Sequence, residues 1–138
     1  MASAMTDDEK IAKVHEMAAA WKALDWRKVA DMFASNGRLH SMMVEPVVGR
    51  DAVYTRVSGL GDGTEAITLS FRHIGVIDGR VFVERTDDFL YKGKSGSLPV
   101  VGVLEFEGEL ISEWREYYDR AHLLHEMGVV TDFDASTR

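Results

Sequence analysis

An arginine and two aspartates carry the strongest chemical signal in this chain: Arg85, Asp87 and Asp119. Arg85 and Asp87 sit in "VFVERTDDFLY" (81–91), a stretch rich in β-branched and aromatic residues that reads as a strand. With a period of two, they share the face of Val81, Val83, Phe89 and Tyr91, the side that looks like a core. Glu84, Thr86 and Asp88 fall on the opposite, solvated face. Asp119 closes "SEWREYYD", where Trp114, Tyr117 and Tyr118 signal burial at the junction of the last strand and the last helix. If the three converge in an apolar pocket, both carboxylates resist ionising together. One proton shared between them, with the guanidinium joining both, makes the cluster neutral. One Asp is then an acid and the other a base, as acid–base catalysis needs. Arg85 suits the join because its fork binds two carboxylates and does not deprotonate. Arg-x-Asp on a strand is equally the pattern of a surface ion pair of little energetic consequence.

The elements that must position these groups follow from patterning. Thr6-Asp7-Asp8-Glu9 reads as a capping box. Apolar residues at Ile11, Val14, Ala18, Trp21 and Leu24 predict an amphipathic helix over about 7–24. Asp25 caps a second helix, 26–33, which Asn36-Gly37 ends with a turn. A short strand within 38–48, a helix over 51–59, and strands over 66–77, 80–91, 98–106 and 109–118 follow. The turns between strands are Asp78-Gly79, a loop over 92–97, and Glu107-Gly108. A short helix spans 119–128. Helices followed by long antiparallel hairpins make an α+β fold. Burying one sheet face curls the sheet around the helices as a cone with a pocket inside. The expected organisation is a single domain over 1–138, with an ordered core of about 7–128 and tails at 1–5 and 129–138.

Bulk properties narrow the function. The chain has 138 residues and a net charge of −7, which disfavours nucleic acid and anionic membranes as partners. No run of eighteen apolar residues and no signal-like N-terminus are present, so a cytoplasmic location is expected. The absence of cysteine removes disulfides, thiolate chemistry and Cys-type zinc sites. The glycines of "GLGDGT" (59–64) are not spaced as a dinucleotide fingerprint. His122 and His125 lack a persuasive third metal ligand, and His15 and His73 read as packing or pocket-edge residues. No cofactor and no metal are expected.

"ERTDDF", "VVGVLEFEGELISEWREYYD" and "GRDAV" together resemble the limonene-1,2-epoxide hydrolase family, within the NTF2-like and SnoaL-like fold group. The likeness covers about 7–128. It implies an NTF2-like cone: N-terminal helices packed on a curved, mixed, mostly antiparallel sheet. It also implies one-step opening of a small apolar epoxide to a vicinal diol, without cofactor or metal, and a homodimer. Carried over, Asp87 is the general acid, Asp119 the base and Arg85 their holder. The family's water-holding Tyr and Asn fall on Leu39 and Ser41, or on His40 and Met42 with a one-residue shift. Neither register restores the pair, so Ser41 and His40 become the candidates for placing the water. Met42, Met43, Trp21 and Phe33 are candidate pocket residues. Two other readings remain: a SnoaL-like cyclase, isomerase or dehydratase acting beside a carbonyl, and a non-catalytic NTF2-like binding module.

Overall fold

Thr6 starts the first helix as its sequence implies: its hydroxyl accepts the Glu9 N–H at 3.2 Å, while Glu9 accepts the Thr6 N–H at 2.8 Å. The computed structural model describes residues 4–134. Helix α1 (Asp7–Lys22) buries Val14, Met17 and Ala20. Asp25 caps α2 (Trp26–Asp31) by accepting the Lys28 N–H at 3.1 Å. The chain then enters strand β1 (Phe33–Ser41), so Asn36-Gly37 lies inside a strand rather than in a turn. Gly37 is what permits this. A Cβ there would sit 2.7 Å from the Ile111 carbonyl oxygen, and the ladder shifts register between Phe33 and Arg38.

Strand β2 (Val47–Val48) and helix α3 (Arg50–Gly61) follow. The meander is β3 (Thr64–Ile77), β4 (Arg80–Tyr91), β5 (Lys94–Glu107) and β6 (Leu110–Tyr117). Asp78-Gly79 makes the first turn with φ of 52° and 78°. The expected loop over 92–97 shrinks to Lys92-Gly93, because Tyr91 already pairs with Lys94. Helix α4 (Arg120–Met127) ends at Gly128.

The strands form one mixed sheet in the order β2-β1-β6-β5-β4-β3, with β1–β6 its parallel pair. Register shifts interrupt the β3–β4 and β5–β6 ladders. Such bulges increase local twist and bend a sheet. The curved, unclosed sheet wraps the helices, with α1 against β3 and α4 against β5. Val29, Phe33, Val53, Val81 and Leu104 are fully buried between sheet and helices. Part of each expected tail is packed, although Val130 is fully exposed. Met5 is buried. Residues 132–134 fold back: Asp132 and Asp134 pair with Arg120 at 2.7 and 2.8 Å, and Asp134 with Arg56 at 2.8 Å. The expected tail positions 1–3 and 135–138 lie outside the described residues. Among the described residues no helix is long and apolar enough to cross a membrane.

Candidate active site

Strand alternation places Arg85 and Asp87 on the concave face of β4, in line with buried Val81 and Val83. There a cavity of about 140 Å³ opens between the sheet, α3 and α4. Its walls are mostly apolar, including Leu39, Val57, Leu60, Leu69, Leu98 and Val100. Arg85 Nε and Nη2 donate to the two Asp87 oxygens at 2.7 and 3.0 Å. Its Nη1 donates to Glu116 Oε2 at 3.0 Å, and Nη2 also donates to Glu116 Oε1 in a very short contact. All three side chains are buried, Arg85 to 4% exposure, so this is not the weak surface pair that Arg-x-Asp also allows. The Arg85 guanidinium also lies 5.6 Å from the centre of the Trp114 ring.

The join depends on Gly102. On β5 it pairs with Val83 on one side and Glu116 on the other. Arg85 must therefore pass over it to reach β6, and a Cβ on Gly102 would lie 2.8 Å from both Arg85 Nη1 and Glu116 Oε2.

Burial raises the pKa of Glu116 above the ordinary carboxylate value; Arg85 pulls it back and Asp87 adds to the rise. Burial alone would lower the pKa of Arg85, but Glu116 and Asp87 outweigh it and hold it above its usual value. Two carboxyls on one guanidinium are electrostatically coupled, so their protons come off as a pair.

Asp119 is elsewhere. It is exposed, caps α4 by accepting the His122 N–H at 3.1 Å, and does not line the cavity. The chain leaves the sheet after Tyr117, and a short carboxylate at that point satisfies the free N–H groups of the helix start. Glu116 takes the position expected of Asp119. A signal for it was present: Glu116 shares strand parity with buried Trp114, whereas Asp119 shares it with Tyr117, which is exposed rather than buried.

Ser41 and Trp21 line the cavity. His40, Met42, Met43 and Phe33 do not. His40 alternates to the convex face, with Nε2 at 3.0 Å from the Val44 carbonyl oxygen. Met42 is exposed where β1 ends, Met43 lies beyond that end, and Phe33 is sealed in the core stacked on Trp114. The sequence reading missed Tyr118 and Phe133, which also line the cavity. Tyr118 donates to Ser41 Oγ at 2.9 Å and accepts from Arg120 Nη1 at 2.7 Å. The guanidinium groups of Arg56 and Arg120 both pack against Phe133, 4.9 and 4.7 Å from its ring centre. Among the described residues no three His, Cys, Asp or Glu side chains are placed to hold a metal ion.

The model of the SnoaL-like domain matches residues 14–114. Among solved structures, an LEH-like epoxide hydrolase from M. tuberculosis superposes with a TM-score of 0.77 at 20% identity, over 88% of this chain and 90% of that one. A putative polyketide cyclase from Xanthomonas campestris pv. campestris gives 0.77 at 17%, over 88% and 98%. A Catenulispora acidiphila protein with a ketosteroid isomerase-like fold, in complex with trimethylamine, gives 0.76 at 20%, over 87% and 95%. The superpositions show a common fold.

Proposed function

Since this chain belongs to the SnoaL-like domain family, we propose that it is an epoxide hydrolase, opening a small apolar epoxide with water to a vicinal diol. The observation that carries this is the pair of carboxyls, Asp87 and Glu116, held by one buried guanidinium at an apolar cavity. Epoxide opening needs an acid for the ring oxygen and a base for the water at the same moment, and a pair sharing one proton supplies both. The cavity is on the scale that takes a single apolar ring.

In the reactive form the shared proton is on Asp87. It passes to the epoxide oxygen as the C–O bond breaks. Water forms the new C–O bond and gives a proton to Glu116. Burial makes Glu116 a stronger base than an exposed glutamate. Its register opposite Ser41 on β1 puts it beside a hydroxyl that can hold the water. The proton then returns from Glu116 to Asp87 across the pair, and the sum is epoxide plus water to diol.

Screening cyclohexene, terpene and styrene oxides for diol is the first test. In labelled water the heavy oxygen should enter product within a single turnover; label delayed to the second turnover would indicate a covalent ester instead. Asp87→Asn should abolish turnover while the protein stays folded, and undiminished diol formation would refute the assignment.

The raised carboxyl of Glu116 also suits abstraction of a C–H proton beside a carbonyl, the chemistry of a cyclase, isomerase or dehydratase. Solvent deuterium on product carbon, with epoxides untouched, would select that reading. A cytoplasmic homodimer completes the proposal. Val101 and Tyr117, paired neighbours on the convex face, are exposed apolar residues available to it, and sedimentation would check the dimer.

A further inference from the structure

Tyr118 and Phe133 of the returning C-terminal segment have no part in the acid–base pair, yet they line the same cavity, and Arg120 joins them from behind. Arginine can only donate hydrogen bonds. Arg120 Nη1 donates to the Tyr118 hydroxyl oxygen at 2.7 Å, so Tyr118 directs its own proton onward. Its acceptor is Ser41 Oγ at 2.9 Å. Ser41 therefore accepts from Tyr118, and its own proton is left to be given into the cavity that both hydroxyls line. Ser41 stands in register with Glu116 on the neighbouring strand, and Glu116 lines the same cavity. The origin of the chain is fixed: Asp132 and Asp134 hold the Arg120 guanidinium, which is 10% exposed, and Phe133 packs against it.

We propose that Arg120, Tyr118 and Ser41 form a one-way hydrogen-bond chain, anchored by residues 132–134, that presents the Ser41 O–H beside Glu116 to hold the attacking water by its oxygen. This rests on the hydrolase reading above. A water so held accepts from Ser41 with one lone pair, keeps the other for the ring carbon, and turns a proton toward Glu116. Ser41 is the catalytic residue of the chain, because it touches the water. Tyr118 and Arg120 are positioning residues that act through it.

The experiment is a double-mutant cycle with Ser41→Ala and Tyr118→Phe. Each single change should lower kcat about tenfold with KM within about twofold, the scale of one hydrogen bond made to the reacting water. The double mutant should be no slower than Ser41→Ala, because Tyr118 acts only through Ser41. Ser41→Thr, which keeps the hydroxyl, should restore most of the lost rate. A merely structural role for Tyr118 would give additive losses instead. The same cycle is then run on binding of cyclohexanecarboxamide by calorimetry, where the amide carbonyl takes the Ser41 proton and no turnover is needed. Affinity should fall about tenfold in each single variant and no further in the double. If the wild type makes no diol but the amide cycle shows this coupling, the hydrolase reading falls and the chain stands. Additive losses, an unaffected Tyr118→Phe, or an amide that the wild type does not bind would each overturn the chain.

Discussion

Gly102→Ala is the sharpest single perturbation of the charge cluster. Gly102 lies within β5 in ordinary strand conformation, so alanine brings no backbone strain there. All of its effect comes from one methyl group. That group would sit 2.8 Å from Arg85 Nη1, 2.8 Å from Glu116 Oε2 and 3.1 Å from Trp114 Nε1. Ordinary contact begins near 3.4 Å, so the guanidinium and carboxylate must each retreat by about 0.6 Å or part. Overpacking of this kind costs about 1–3 kcal/mol. A displacement approaching 1 Å at reacting groups costs about 10²-fold in rate. Urea denaturation should therefore show a stability loss of about 1–3 kcal/mol with an unchanged m-value, and diol formation should fall about 10²-fold. Gly75→Ala on β3 is the control, because a Cβ there meets nothing within 4 Å and turnover should persist. A Gly102→Ala protein with the wild-type midpoint and full turnover would refute the path of Arg85 over β5.

Substitutions at three further positions complete the set. Glu116→Gln tests the buried charge. The folded-state pKa of Glu116 lies above 4.5, so its contribution to stability is present below that value and is lost as pH rises through the raised pKa. Glutamine has no such titration. Wild-type stability minus that of Glu116→Gln should fall with rising pH by about 1.4 kcal/mol for each pH unit separating the two pKa values. A flat difference in urea melts across this window would show that Glu116 titrates normally. Asp119→Ala should cost about 1 kcal/mol through loss of the α4 cap and leave turnover unchanged, whereas Asp119→Asn should cost less; lost turnover would return Asp119 to the chemistry. Thr6→Ala should cost about 1 kcal/mol by opening the α1 capping box, and thermal melts would check it.

Much of this site was readable from alternation along single strands. Arg85 and Asp87 share a face with Val81 and Val83 because side chains alternate, and no tertiary knowledge is needed to see it. Thr6-x-x-Glu9 and Asp78-Gly79 are similarly local signals. The third carboxylate was harder, because the choice between Glu116 and Asp119 depends on where β6 stops. Tyr118 and Asp119 resemble strand and cap residues equally well until the start of α4 is known. Gly102 carries no mark of its importance in the sequence: its role comes from two side chains, on strands either side of it, that meet above it. Asn36-Gly37 misled because its turn chemistry is overridden by the long-range pairing of β1 with β6 on either side of it, which local propensity cannot anticipate. The return of 132–134 onto Arg56 and Arg120 was hidden for the same reason, since a short polar stretch gives no periodicity.

The parallel pairing of β1 with β6 also orders events in time. Strands β3 to β6 form a meander joined by tight turns, so Arg85, Asp87 and Glu116 can meet once three consecutive strands have formed. Ser41 must come from much farther, since it is 77 positions from its partner Tyr118. Closing so long a loop carries an entropy cost before any contact repays it, and such pairings tend to form late. A chain recovering from denaturant would pass through a stage holding the charged cluster without the hydroxyl that faces it. Recovered sheet signal would then precede recovered turnover, and the interval between them would measure the docking of β1.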